Sequence, residues 1–368
     1  MTKLSTSQSD QPIRMTATLY RPPDKILSIW QGAFGPLLIA EIGGNHEGDF
    51  AYAERLTDLA IESGADVIKF QLYQGKTLVS PVEAPDRYTH FQRFELNQAQ
   101  HIALAKRCQA AGRQYLASVW DLAMLEWIDP FLPFYKIGSG DLTAYPLLKA
   151  FAQRGKPIVL STGLASLDDV QNAIAYIQSI NASYQNPNQL AILQCTSMYP
   201  NADVDVNLAV MDTLHAATGL AVGYSDHSIG DFALLIAAAR GAQVLEFHFT
   251  DDRSGKTFRD HAISLTAAEV RALCERLNQM RTLMGSAQKI PLLAEISSGH
   301  VQSFRRAVYC KVDLKAGDIL QAEHLCVLRP NHGIDARQFD DAIGKLVTHD
   351  TLAYAALSLQ NAPAQDDR

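Results

Sequence analysis

Tyr135-Lys136-Ile137-Gly138-Ser139-Gly140-Asp141 runs a short apolar segment straight into small residues flanked by charge. Taken alone, Gly-Ser-Gly after a strand is a turn, because these residues supply the backbone angles and local hydrogen bonds that turns need. A lysine, two glycines and a serine at a strand end also make a floor for an anion. Repetition favours the second view. Apolar runs at 37–42, 67–71, 114–118, 134–137, 157–161, 190–195, 221–225 and 244–249 all end in polar residues. Between them, segments such as 51–63, 98–111, 167–179, 205–217, 231–240 and 267–283 carry apolar residues at helical spacing. Val270, Leu273, Cys274 and Leu277 show that spacing on one face, and Gly64, Gly112, Gly155, Gly219 and Gly241 stand where left-handed helix ends are expected. Eight βα units in about 250 residues predict a (β/α)8 TIM barrel. No G-x-G-x-x-G follows the first strand to suggest a dinucleotide fold.

Around this core (37–284), residues 1–36 have the prolines and glycines of an arm or short hairpin, and 285–303 are small and polar, as in a linker. Residues 304–360 read as a compact, loop-rich module, and 361–368 as a tail. With 368 residues, 47% hydrophobic and 19% charged, the chain has material for one large core and a second small one. A net charge of −7 argues against general nucleic-acid binding, which needs a basic face to displace counterions. No membrane-length apolar run and no signal-peptide core are present, so a cytoplasmic protein without membrane partners is expected. Five scattered cysteines without a C-x-x-C pair suggest neither a disulfide framework nor a thiolate zinc site.

A barrel's chemistry lies at the C-terminal ends of its strands, and there the sequence places Glu41, Lys69, Ser118, Lys136, Ser139, Ser161, Thr162, Ser197, Tyr199, Asp226, His227, Glu246 and His248. Lys69 and Lys136, with Ser139, Ser161 and Thr162, suit a small molecule bearing phosphate and carboxylate, because cations and hydroxyl donors offset the cost of bringing an anion into a partly dry pocket. Lys136 also suits a Schiff base with a carbonyl substrate. His227 and His248 follow neighbouring strands and suit a divalent metal, with Glu246 and Asp226 as candidate partners of the imidazoles. Glu41, Asp260 and His261 are acid–base candidates, the last two in a charged loop at 250–264 that follows the final strand and is placed to close over substrate.

The residues Ile39-Ala40-Glu41-Ile42-Gly43-Gly44-Asn45-His46-Glu47-Gly48, Lys69-Phe70-Gln71, Tyr135 to Asp141, Leu160-Ser161-Thr162-Gly163, Cys195-Thr196-Ser197-Met198-Tyr199-Pro200, Ser225-Asp226-His227 and Glu246-Phe247-His248-Phe249-Thr250 resemble the sialic acid synthases. That family condenses phosphoenolpyruvate with an N-acylated amino sugar to a nine-carbon 2-keto-3-deoxy acid. Val308 to Lys311, Ile319-Leu320 and Leu328-Arg329-Pro330 look like the family's antifreeze-like (SAF) domain. The resemblance implies that Lys69, Ser118, Lys136, Ser139, Ser161 and Ser197 hold phosphoenolpyruvate, that His227 and His248 bind Mn2+ or Mg2+, and that Glu41 and Asp260 form the acid–base pair. It places Tyr199 and Asp260 near the sugar and, through a domain-swapped homodimer, Arg329 in the neighbouring subunit's site. Two departures bear on the sugar: Ser197 where the family usually has asparagine, and Asp141 where it has glutamate. N-acetylmannosamine, legionaminate-type or pseudaminate-type precursors and phosphorylated sugars are all open acceptors. A metal-independent Schiff-base aldolase and a non-catalytic sugar-binding barrel are the alternatives of other classes.

Overall fold

A hairpin opens the described part of the chain: β1 (Gln31–Gly32) turns back antiparallel onto β2 (Gly35–Gly43). It is placed by Trp30, a fully buried ring that stands edge-on to Phe134 at 5.6 Å and donates its indole N–H to the Pro187 carbonyl at 2.8 Å. The structure, a computed structural model, describes residues 28–357 and the backbone of 359–360. Residues 1–27 of the arm or hairpin expected at 1–36, and the tail expected at 361–368, lie outside the described residues.

Seven further strands follow β2, each with a run of buried residues: β3 (Val67–Leu72), β4 (Gln114–Val119), β5 (Tyr135–Ile137), β6 (Ile158–Ser161), β7 (Leu190–Cys195), β8 (Ala221–Asp226) and β9 (Val244–His248). Near-continuous apolar runs suit strands covered on both faces. They pair in parallel in the order β4-β3-β2-β9-β8-β7-β6-β5, and β4 lies beside β5 to bring the ring round. The result is the expected (β/α)8 barrel, with helices between successive strands.

The helices have local causes. Asp49, Asn97, Ser166 and Thr266 each accept a backbone N–H at the start of Phe50–Ser63, Gln98–Ala110, Leu167–Ile180 and Ala267–Met284. The glycines expected at helix ends all have positive φ. The helix expected over 205–217 is instead two pieces, Asp203–Val206 and Val210–Thr218, because Asn207 turns left-handed (φ 49°). The helices Pro85–Phe94 and Tyr145–Arg154 were not foreseen; both begin at or beside a proline, which pre-sets the first helical φ.

Gly223 of β8 shows how closely the barrel wall packs: a Cβ there would stand 2.3 Å from the Val244 carbonyl oxygen and 2.6 Å from Leu193 Cδ2. Backbone cannot retreat as a side chain can. Gly223→Ala is therefore expected to cost about 3 kcal/mol, the upper part of the usual overpacking range, lowering the urea midpoint without changing the slope.

Acid is expected to weaken the barrel for a separate reason. Burial holds His46 down to about 4 and His101 down to about 3, the latter with its Nδ1 2.7 Å from the Tyr115 hydroxyl. Unfolded histidine titrates near 6.5, so between about pH 6 and pH 4 the unfolded chain binds two more protons than the folded one at these sites, and stability falls as pH falls, by about 2.7 kcal/mol per pH unit. The burial-raised carboxyls of Asp141 and Asp226 act with the opposite sign. Urea midpoints at pH 7, 6 and 5 check this, with His101→Phe flattening the dependence.

The chain divides after Gly285. In the second unit, residues expected as a linker carry two short helices, Leu293–Ser297 and His300–Ser303. Beyond them β10 (Ala307–Cys310) pairs antiparallel with β11 (Leu325–Leu328), and β12 (Leu346–Val347) with β13 (Leu359–Gln360). Val308, Cys310, Leu314, Leu320, Leu325, Ala342, Val347 and Leu357 form its small core.

Candidate active site

Strand pleat decides what faces the inside of the barrel: Glu41 lies level with Lys69 on β3 and with His248 on β9, and Glu246 falls two residues before His248 on the same face. At the exit of β2 the register slips between Glu41 and Gly43, and Gly43 is left-handed (φ 55°). A Cβ on Gly43 would approach the Glu41 carboxylate to 2.9 Å, so glycine lets the chain turn without displacing that side chain.

Lys69 and Lys136 sit within their strands, buried, rather than at the rim where the sequence pattern put them. Two carboxylates balance them. Lys69 Nζ lies 2.6 Å from Glu41 and 3.4 Å from Glu246, and Lys136 Nζ lies 3.2 Å from the other oxygen of Glu246. Ser118 accepts from Lys69 at 3.3 Å, Ser161 from Lys136 at 2.8 Å, and Gln71 donates to Glu41 at 3.0 Å. Burial works against the Lys69 charge, but Glu246 and Glu41 outweigh it and raise its pKa. Glu246, despite its own desolvation, is drawn down to about 2 by Lys136 and Lys69. Buried charges are tolerated only when paired in this way. Both lysines are thus engaged as cations, which favours ion clamping over the Schiff base left open for Lys136.

Glu246 was expected beside the imidazoles; it joins the lysines because two buried ammonium groups need two carboxylates. Asp226, the other expected partner, instead accepts from the Tyr224 hydroxyl (2.9 Å) and the Ser228 N–H (2.8 Å). His227 donates from Nδ1 to the Thr196 carbonyl at 2.8 Å, which leaves Nε2 with its lone pair free for a ligand. Burial and the neighbouring His248 hold its pKa down to about 3, so the ring is neutral at ordinary pH. The two imidazoles stand 5.3 Å apart between centroids, and His248 has a buried ring nitrogen without a hydrogen-bond partner, 3.8 Å from Asp260. Two imidazole nitrogens, one without a hydrogen-bond partner, and a nearby carboxylate fit a divalent ion whose remaining positions are filled by water and substrate. Among the described residues no group of three or more His, Cys, Asp or Glu is arranged to hold a metal by itself.

Tyr199 packs on His227 at 4.0 Å and stands edge-on to His248 at 5.7 Å, while Arg259 lies 4.5 Å over its ring and bonds Asp260 at 3.1 Å. Ser139 accepts from the Gly163 N–H at 3.0 Å, which ties the loop after β5 to the loop after β6. Asp141 is half-buried close by, its carboxyl raised by burial against the pull of Lys136 and Trp120. Ser197 is half-buried two residues beyond β7 and takes no part in the bonds that tie the lysines. Arg329 belongs to the second unit, exposed and 5.5 Å from the Phe304 ring. His261, one of the acid–base candidates in the loop at 250–264, is held between Thr250 (2.7 Å) and Glu47 (3.3 Å). The same loop is fixed by Arg253, which forks onto Glu269 at 2.8 and 2.6 Å.

Comparison with known proteins decides the family. Residues 56–289, more than half of the chain, match the model of the NeuB family. The chain belongs to the NeuB family. Among NeuB-type relatives, the N,N'-diacetyllegionaminic acid synthase of Campylobacter jejuni is 35% identical over 85% of this chain and 96% of its own. The human N-acetylneuraminate-9-phosphate synthase is 32% identical over 81% of this chain and 84% of its own. The solved N-acetylneuraminic acid synthetase of Leptospira borgpetersenii superposes with a TM-score of 0.66 at 29% identity, covering 72% of this chain and 90% of that one. This NeuB-family barrel also has no helix, among the described residues, long and apolar enough to cross a membrane.

Proposed function

We propose that this NeuB-family protein condenses phosphoenolpyruvate with an N-acyl amino sugar aldehyde, forming a nine-carbon 2-keto-3-deoxy acid and inorganic phosphate. The observation that carries the reading is the Lys69–Glu246–Lys136 array with Ser118 and Ser161 as hydroxyl partners, with Glu41 beside Lys69 and level with His248 on β9. Lys69, Lys136 and the serines, with Ser139 and Ser197, hold the phosphate and carboxylate of phosphoenolpyruvate. The array is electrically balanced before substrate arrives, since Glu41 and Glu246 offset Lys69 and Lys136. Substrate anion therefore competes with Glu246 for the lysines, and further positive charge from beside the histidines completes the neutralisation.

His227 and His248 would hold a divalent ion, for which manganese matches two imidazole nitrogens better than magnesium does; bound there it polarises the sugar aldehyde and stabilises the developing alkoxide. Carbon C3 of phosphoenolpyruvate forms the new bond to the aldehyde carbon, and its C2 takes up water. Glu41 accepts the proton from that water, while Asp260 hands a proton to the new hydroxyl oxygen. The C2–O bond then breaks, phosphate leaves with the bridging oxygen, and C2 becomes the ketone as its hydroxyl proton passes to the departing phosphate. Tyr199 lines the sugar end, and in a domain-swapped homodimer Arg329 of the antifreeze-like module would complete it. N-acetylmannosamine and its legionaminate-type and pseudaminate-type counterparts are the acceptors to compare. Phosphate release with manganese across this panel tests the reading, which fails if no acceptor raises release above background.

A further inference from the structure

The two imidazoles are held unequally. His248 has a buried Nδ1 without a hydrogen-bond partner, whereas His227 donates its own to the Thr196 carbonyl at 2.8 Å. The loop that leaves β7 supplies two further holds on His227: the Tyr199 ring lies 4.0 Å from the imidazole, and the Asn201 N–H donates to the His227 carbonyl at 3.0 Å. The remaining hold comes from Asp226. One oxygen of its carboxylate accepts the Ser228 N–H at 2.8 Å, and the same oxygen accepts the Tyr224 hydroxyl at 2.9 Å. A carboxylate that bonds the backbone N–H two residues on closes an Asx turn, and the residue in the middle of this one is His227. Tyr224 belongs to β8, so its hydroxyl ties the turn to the barrel wall. Tyr224, Asp226, His227 and Ser228 are all buried, and water competes little for these bonds.

We propose that Asp226 is a positioning residue for the metal. Its turn fixes the backbone of His227, and Tyr224 braces the carboxylate, so that Nε2 is aimed before the ion arrives while His248 adjusts to it. The inference rests on the metal assignment proposed above and adds the group that orients one of the two ligands. Because the turn needs only an oxygen at the end of a short side chain, asparagine can replace the aspartate and alanine cannot.

Calorimetry of manganese binding to the full chain tests this, with circular dichroism to confirm that each variant folds. D226A is expected to bind manganese about 30-fold more weakly than the wild type, within the range of about 10–100-fold usual when a group that orients a metal ligand is removed. Y224F loses one hydroxyl and keeps the ring, and should weaken binding by about threefold. D226N should stay within about threefold of the wild type, since its side-chain oxygen still closes the turn. Electron spin-echo spectra of the bound manganese give a readout that folding alone would not move: couplings from two imidazole nitrogens in the wild type and D226N, and from one in D226A. If D226A does not fold, weaker binding in Y224F with D226N intact supports the inference, and unchanged binding in Y224F overturns it. Binding by D226A as tight as by the wild type overturns it and leaves the condensation standing. A loss in D226N equal to that in D226A does the same, because charge rather than the turn would then be at work. A wild type that binds no manganese removes the metal assignment and the inference with it.

Discussion

Replacing Lys136 by methionine is expected to lower kcat/KM for phosphoenolpyruvate by about 10³-fold, since each charge-assisted hydrogen bond is worth about 1.5–3 kcal/mol and Lys136 would supply two to the substrate anion. The same change removes one of the two cations on Glu246. Breaking a buried pair in this way costs about 3–5 kcal/mol because a charge is left short of partners. K136M/E246Q separates the effects: losing the carboxylate as well should return most of the stability and none of the activity. A Schiff-base enzyme would behave differently, with borohydride trapping substrate on the wild type and activity surviving EDTA. An active K136M would remove Lys136 from the mechanism.

Loss of the metal is the second large effect. His227→Ala or His248→Ala, or exhaustive chelation, is expected to reduce turnover by about 10³-fold or more, because Lewis-acid stabilisation is worth several kcal/mol and each 1.36 kcal/mol is tenfold. Manganese should restore the chelated wild type and neither variant. Binding gives a readout apart from activity: calorimetry should find one manganese per wild-type chain and none in His227→Ala. Unchanged manganese binding in both variants would contradict the assignment.

Much of the fold was legible because parallel strands buried on both faces leave uninterrupted apolar runs, and because glycines 64, 112, 155, 219 and 241 marked helix ends that are left-handed in the structure. The break at Asn207 was not, since a single asparagine in the left-handed region does not disturb the apolar spacing around it. The site residues were visible singly, as polar groups at strand ends, but their depth was not. Lys69 and Lys136 lie inside the wall, and only the three-dimensional ring shows that Glu246 from β9 reaches both. Alternation along Glu246-Phe247-His248 already put the glutamate and histidine on one face; the missing step was charge balance, because two buried ammonium groups require two carboxylates.

The central claim is that this site joins phosphoenolpyruvate to an aldehyde with cleavage of the C–O bond. Phosphoenolpyruvate labelled with oxygen-18 at the bridging position tests it most directly, in the presence of manganese and the acceptor panel. The label is expected in inorganic phosphate, with a 2-keto-3-deoxy acid formed in equal amount. Label retained in the organic product, or no acceptor-dependent phosphate, would contradict the account.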